Sequence, residues 1–534
     1  MHDDLSFDPR DPYIPLEDGD GIRWAVQVFT TSNGYGLDGA DRATDPESSR
    51  FGFARLGQQR RVDAGEASIR VERDGDAWTF RIEVAHVEPV KSVKLILRGL
   101  PAAELAKGWW SPTTPRGTTA QPPLQWNYPG PTWATRWAAA GAVSVSIRSA
   151  VVSGTVLHVA APPYGEGTEV EIVHAVPASE WSTHVTVPPI RLAIAADAAD
   201  AAERDLGAHV RAMRAAFGVH GWDERPDVPA WARDLDLVVT LHGQHWTGYV
   251  FHTFDDMGRL LAELAADVDP TRTLVYLPGW EGRYYFDYPH YAPSPELGGD
   301  AGFRRLVDGA RSLGYRVMPM FGANGANAAR YPEWQDAAIR NPSDRYPVML
   351  NAPDWDGDRY PEGDQVFLNP GEPRFRAHLV DAVSRTVERY DVDAAFFDTA
   401  SFWFDDPRYP LYEGYRALTT ELRARHPGLL LVSEGWWDAM TALFPMSQQW
   451  LGIERDICAP GLVTDVARTT AHLADGTPVS GSTGVHEQGF RSPAPPRRLA
   501  GHLPVIAYAG GDGAAQRAAA RELRLTASPA GSDG

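Results

Sequence analysis

Two carboxylates stand out by position. Asp398 closes the apolar run at 392–397 in YDVDAAFFDTA, and Glu434 stands two residues beyond the apolar run at 429–432 in LLLVSEGWWD. Each run is short and apolar throughout, the pattern of a strand buried on both faces. Between them, YEGYRALTTELRARHP has helical spacing and stops at Pro427-Gly428. The two acids therefore fall at the C-terminal ends of consecutive parallel strands joined by one helix. In a barrel of such units those ends face the mouth, where active sites lie. Neighbouring parallel strands are about 4.8 Å apart, and retaining glycoside hydrolysis needs two carboxyl groups about 5–5.5 Å apart. Either acid alone could simply cap a helix; the pair is the more specific signal. Phe402, Trp403 and Phe404 follow the first acid, and Trp436 and Trp437 the second. Flat aromatic faces suit the C–H faces of sugar rings. Burial against Trp436 and Trp437 beside a charged Asp398 is expected to raise the pKa of Glu434, as a general acid requires.

Further candidates lie in neighbouring loops. Trp280, Tyr284 and Tyr285 belong to GWEGRYYFDYPHY at 279–291, an aromatic run suited to a substrate platform, though loop packing also uses such residues. His242 and His245 in TLHGQHW, and Asn324 and Asn327 in FGANGAN, follow other predicted strands and offer hydrogen bonds to hydroxyls, or serve the core and a tight turn. STGVHEQGF holds His486, a second hydroxyl-binding candidate, and Glu487, the rival carboxylate to the chosen pair. NAPDWDGD at 351–358 resembles a calcium loop but has Arg359 where glycine is needed and Gln365 where glutamate is needed, so a solvated acidic turn is expected. There is no HExxH, no GxSxG and no P-loop. No metal and no cofactor is expected.

The elements that would position these residues form two sets. Residues 1–20 read as a surface arm. From 21 to 194, short alternating runs such as ASIRVERDG, AWTFRIEVAHV, SVKLILRGL and TEVEIVHAV predict an antiparallel β-sandwich, interrupted by a polar insertion at 31–50 and a Trp- and Pro-rich loop at 107–133. Residues 195–230 read as a linker helix and boundary. From 231 to 525, strands alternate with helices: strands at 235–243, 273–280 and 315–322, then the two acid-bearing runs, then weaker candidates at 450–457, 478–488 and 504–510, with a helix at 463–474. Eight such units predict a (β/α)8 TIM barrel. Residues 526–534 are a tail. At 534 residues two or three domains are expected.

The net charge of −20 argues against nucleic acid or an anionic membrane as partner. A single cysteine, Cys458, excludes an intramolecular disulfide framework. The N-terminal residues lack the basic and apolar regions of a signal peptide, and no run of about 18 apolar residues occurs, so a cytoplasmic protein is expected.

The segment from about 270 to 440 resembles the amylase-like glycoside hydrolase barrels. NPGEPRFRAHLVDAVSRTVERYDVDAAFFDTA looks like their third helix and fourth strand, and LLLVSEGWW like their fifth strand. The resemblance implies Asp398 as nucleophile, Glu434 as acid/base and an α-linked substrate. It departs at Phe396, where α-amylases carry arginine, and at His486-Glu487, where they carry an HD pair. The sandwich before the barrel resembles endo-α-N-acetylgalactosaminidase-like and α-galactosidase-like enzymes. The expected function is a retaining glycoside hydrolase on an oligosaccharide or glycoside. The alternatives are a non-catalytic carbohydrate-binding protein on a degenerate barrel, or a barrel lyase or isomerase. Oligomeric state is not legible in the sequence.

Overall fold

The structure is a computed structural model. It describes residues 13–42, 48–57, 60–100, 132–138, 142–148, 152–160, 168–195, 208, 211–245, 248–340, 349–350, 365–400, 404–435, 438–449, 465–471, 501–508 and 513–526. The chain divides into two compact units, one built on residues up to Gly218 and the other from Val219 onward.

The first unit is an antiparallel sheet organised on one long strand, Ala77–Leu100. Its first half pairs with Arg60–Asp74 and Ser182–Ala195, and its second half with Arg23–Thr30 and Thr168–Ala175. The sequence suggested two strands here. They are one, because the pairing slips at a bulge around Val90 instead of breaking, and Val90 and Val93 keep the buried face continuous across the polar residues. The expected polar insertion at 31–50 is also corrected. It contains the strand Gly34–Arg42 and the start of Ser48–Arg55, whose Tyr35, Leu37, Phe51 and Phe53 point into the core. Within the expected surface arm, Ile14–Pro15 pairs with Arg23 and Trp24. The Trp-rich loop lies, but for its last two residues, outside the described residues.

The second unit is a parallel barrel, as the alternation of strands and helices predicts. Leu237–Leu241, Thr273–Leu277, Arg316–Gly322, Ala394–Asp398, Leu430–Glu434, Met446–Gln449 and Arg468–Ala471 pair in that order. The eighth strand is split at Pro504, which has no N–H to give. His502–Leu503 pairs with the seventh strand and Val505–Tyr508 with the first, which brings the sheet round on itself. The first, second, fourth and fifth strands are buried along their whole length.

The expectations after residue 450 need correction. The sixth strand lies at Met446–Gln449, before the expected 450–457. The seventh is Arg468–Ala471, inside the stretch expected as a helix at 463–474, while the strand expected at 478–488 lies outside the described residues. Both strands read MSQQ and RTTA and carry no apolar run. Ser447, Thr469 and Thr470 are nevertheless buried, so polar residues face inward there.

The helices begin and end where local chemistry dictates. Thr253 and Asp256 form a reciprocal capping box at the start of Phe254–Leu264. Glu372 caps Pro373–Tyr390, with proline in the first turn. Gly314 ends Gly299–Leu313 in the left-handed conformation. Leu411–Arg425 links the fourth and fifth strands, and Ala514–Thr526 closes the unit. At the foot of the fourth strand, Asp393 accepts the Val317 N–H and pairs with Arg311 and Arg316. This fixes the strand at the end away from its terminal carboxylate. Among the described residues no helix is long and apolar enough to cross a membrane.

Candidate active site

The fourth and fifth strands run parallel with Phe397 opposite Ser433. One step further, Asp398 and Glu434 end the two strands side by side. Both are buried, at 5% and 8% exposure. On the other side of Asp398, Gly322 of the third strand is its register partner, and the Ala323 N–H donates to the Asp398 carbonyl at 2.9 Å. The backbone carrying Asp398 is therefore held by both neighbours.

Each carboxylate has a defined donor. The Tyr288 hydroxyl donates to Asp398 Oδ2 at 2.8 Å. The backbone N–H of Thr399 donates to Glu434 Oε2 at 2.7 Å. Thr399 adopts φ 60°, a left-handed conformation that a β-branched residue rarely takes. Asn324 holds it there. Its Oδ1 accepts from the Thr399 hydroxyl at 2.5 Å, and its Nδ2 donates to the Thr399 carbonyl at 3.1 Å. The strained turn thus aims an N–H at one acid while the other precedes it by one residue.

Tyrosines line the same space. Tyr276 and Tyr285 are pushed well above the usual phenol range, first by burial, then by the charges of Asp398 and Glu434. Both carboxylates therefore act on the same hydroxyls. Tyr288 is raised likewise, by burial and then by Asp398. Its ring packs closely against Gly322, where an added Cβ would sit 2.5 Å from a ring carbon. The Tyr291 hydroxyl donates to the Gly322 carbonyl at 2.9 Å. The loops after the first and second strands meet backbone to backbone at Gly243 and Gly279, and a Cβ on Gly279 would sit 2.1 Å from the Gln244 carbonyl oxygen.

The other candidates divide. Trp280 is fully buried, stacks on Phe303 at 4.8 Å and donates its indole N–H to the Met320 carbonyl at 2.7 Å. It packs into the core at the second strand's exit. Asn324 is buried, and both ends of its amide engage Thr399, so it shapes the turn after Asp398. His242 is buried among Phe251, Tyr284 and His245. His245 is held neutral, at about 4, by burial and then by Arg283. Tyr284 is buried and packs edge-on to Tyr285, which is only partly buried and sits at φ 68°. Trp403, Trp436, Trp437, His486 and Glu487 lie outside the described residues, as does the acidic turn at 351–358. Among the described residues no group of three or more His, Cys, Asp or Glu side chains is arranged to hold a metal ion.

No protein-family model matches the chain, and no curated protein matches it. Solved structures do. An α-N-acetylgalactosaminidase, NagBb from Bifidobacterium bifidum, in its GalNAc complex matches 96% of this chain and 93% of its own at 15% identity and TM-score 0.62. The ligand-free form of that enzyme gives TM-score 0.57 at 14% identity, over 93% of this chain and 92% of its own. The α-galactosidase AgaA from Geobacillus stearothermophilus gives TM-score 0.49 at 11% identity, over 94% of this chain and 73% of its own. The chain has the fold of the Bifidobacterium glycosidase. That fold, an N-terminal β-sandwich followed by a barrel, is the architecture expected from the sequence.

Thr399 and Glu281 were passed over in the sequence, and Tyr288 was placed only among the aromatics of the 279–291 loop. Thr399 follows the acid directly in FFDTA, but a positive φ at threonine leaves no mark in a pattern of hydrophobicity. Tyr288 was visible only as one aromatic among several in YYFDYPHY. Glu281, alone between Trp280 and Gly282, is a buried acid inside an aromatic loop, and that contrast was the available signal.

Proposed function

We propose that the protein is a retaining α-glycosidase that releases a terminal α-linked N-acetylgalactosaminyl residue, with Asp398 as nucleophile and Glu434 as acid/base. One observation carries the reading. Two buried carboxylates end adjacent parallel strands, and each is oriented by a separate donor, Tyr288 for one and the Thr399 N–H for the other. The spacing of parallel strands, about 4.8 Å, suits the retaining geometry, in which the carboxyls stand about 5–5.5 Å apart. Support for the sugar is the named activity of the enzyme that shares the fold.

In the first step an oxygen of Asp398 attacks the anomeric carbon. The bond to the leaving oxygen breaks as Glu434 gives that oxygen its proton. In the second, Glu434, now a carboxylate, takes a proton from water; the water oxygen bonds to the anomeric carbon and Asp398 departs. Tyr288 steadies the negative charge on Asp398 before the first step and after the second. Thr399 fixes Oε2 of Glu434, so Oε1 carries the transferable proton.

The test is release of nitrophenol from a panel of α- and β-linked 4-nitrophenyl glycosides, wild type beside Asp398→Asn, with the anomer of the first-formed sugar followed by NMR. The reading expects cleavage of the α-N-acetylgalactosaminide by wild type alone, with the α-anomer formed first. Sugar binding without turnover supports the non-catalytic alternative. Product lacking oxygen from labelled water supports a lyase.

A further inference from the structure

Glu281 lies in the loop that leaves the second barrel strand, one residue past Trp280. It is 5% exposed, and neither Oε1 nor Oε2 meets a hydrogen-bond partner on any other described residue. Three tyrosine hydroxyls of this part of the barrel are engaged elsewhere. Tyr276 donates to Met320 Sδ, Tyr288 to Asp398 and Tyr291 to the Gly322 carbonyl. Beyond burial, the charge of Glu281 adds to that of Asp398 in opposing ionisation of all three tyrosines. The charged groups that act on it are Asp398 and Asp287. A second negative charge beside Asp398 is disfavoured, and burial disfavours it more. Burial first, then these carboxylates, hold Glu281 protonated far above the usual carboxylate range, opposed only by its own backbone N–H.

A neutral carboxylic acid is donor and acceptor together. Buried polar groups are almost always hydrogen-bonded, and a buried acid with no partner on any other described residue, in the loop that leaves the strand beside the Asp398-bearing half of the barrel, asks for a partner from outside the chain. Such a group rejects a ligand that lacks the matching hydroxyl or amide, because the protein group is then left unpaired.

We infer that Glu281 is a specificity-determining residue, which hydrogen-bonds one polar ring substituent, a hydroxyl or the acetamido group, of the sugar seated at Asp398. This rests on the reading of the barrel mouth as a sugar site. It does not rest on turnover.

Calorimetric titration tests it on the full chain. The probes are N-acetylgalactosamine, galactose and the 2-, 3-, 4- and 6-deoxy forms of galactose; the proteins are wild type, Glu281→Gln and Glu281→Met. Loss of one substituent is expected to weaken binding to wild type by about tenfold or more. Glu281→Gln keeps that discrimination, since an amide also donates and accepts. Glu281→Met loses it and binds the full sugar and the deoxy sugar alike. Methionine also replaces an unsatisfied buried acid with an apolar chain of similar length, so its Tm is expected to rise, and to rise more from pH 5 to pH 8, because the raised carboxyl weakens the fold as pH climbs above the ordinary 4.5. A purely structural role for Glu281 predicts a lower Tm in Glu281→Met. The same pattern of deoxy penalties in wild type and Glu281→Met overturns the inference while leaving the sugar site standing. Failure of wild type to bind any of these sugars overturns both.

Discussion

The Tyr288 hydroxyl stands 2.8 Å from Asp398 Oδ2, and burial and the Asp398 charge both oppose its ionisation. It is therefore a donor at every pH at which the protein is folded and Asp398 is charged. A hydrogen bond to a charged group is worth about 1.5–3 kcal/mol, and each ~1.4 kcal/mol of barrier is tenfold in rate. Tyr288→Phe is expected to lower kcat by about 10- to 100-fold. The ring remains against Gly322, so Tm and KM change little. Steady-state kinetics beside a thermal melt checks this; an unchanged kcat removes Tyr288 from the mechanism.

Gly322→Ala attacks the same bond from behind. The new Cβ would fall 2.5–2.9 Å from three carbons of the Tyr288 ring. The ring must shift, and overpacking of this kind costs about 1–3 kcal/mol. A lower Tm together with a fall in kcat close to that of Tyr288→Phe is expected, and the double variant should be little slower than either single one. Additive losses in rate would mean that Gly322 acts by another route.

The parts of this site that were readable in the sequence are those written as hydrophobic periodicity. The runs before Asp398 and Glu434 are buried on both faces, and a doubly buried strand has to be apolar throughout. Pro373 and Gly314 likewise marked helix boundaries through backbone chemistry alone. The sixth and seventh strands were not readable, because Ser447, Thr469 and Thr470 turn polar side chains inward and the pattern inverts. The bonding partners of Trp280 and Asn324 were not readable for a different reason. Residue type announces what a side chain can bond, but its partner, Met320 for one and Thr399 for the other, comes from a strand or turn distant in sequence.

The two carboxylates can be told apart by azide. With the nucleophile removed in Asp398→Ala, azide attacks an activated α-glycoside once, and a β-glycosyl azide is expected. With the acid removed in Glu434→Ala, Asp398 still forms the glycosyl-enzyme, azide opens it from the other face, and an α-glycosyl azide is expected. Glu434→Ala should also lose far more activity on poor leaving groups than on nitrophenolates, since only the former need the proton. NMR of the azide products decides. Opposite configurations would exchange the two roles, and no azide product from either variant would remove both residues from covalent catalysis.

Stability is expected to fall on the acid side, and the buried histidines give the window. His174, His245 and His502 each sit at about 4, depressed by burial, with Arg283 adding to the effect at His245. Unfolded, each would titrate near 6.5. A depressed folded value means the unfolded chain binds the proton first. The stability these groups contribute is therefore whole above pH 6.5 and is lost as pH falls towards 4. Within that window each such histidine steepens the loss by up to about 1.4 kcal/mol per pH unit. His174 lies in the first unit, and His245 and His502 in the second. His174→Leu should thus flatten the pH dependence of the first unit's calorimetric transition and leave that of the second unchanged. A slope unchanged in both would show that His174 takes up its proton without unfolding.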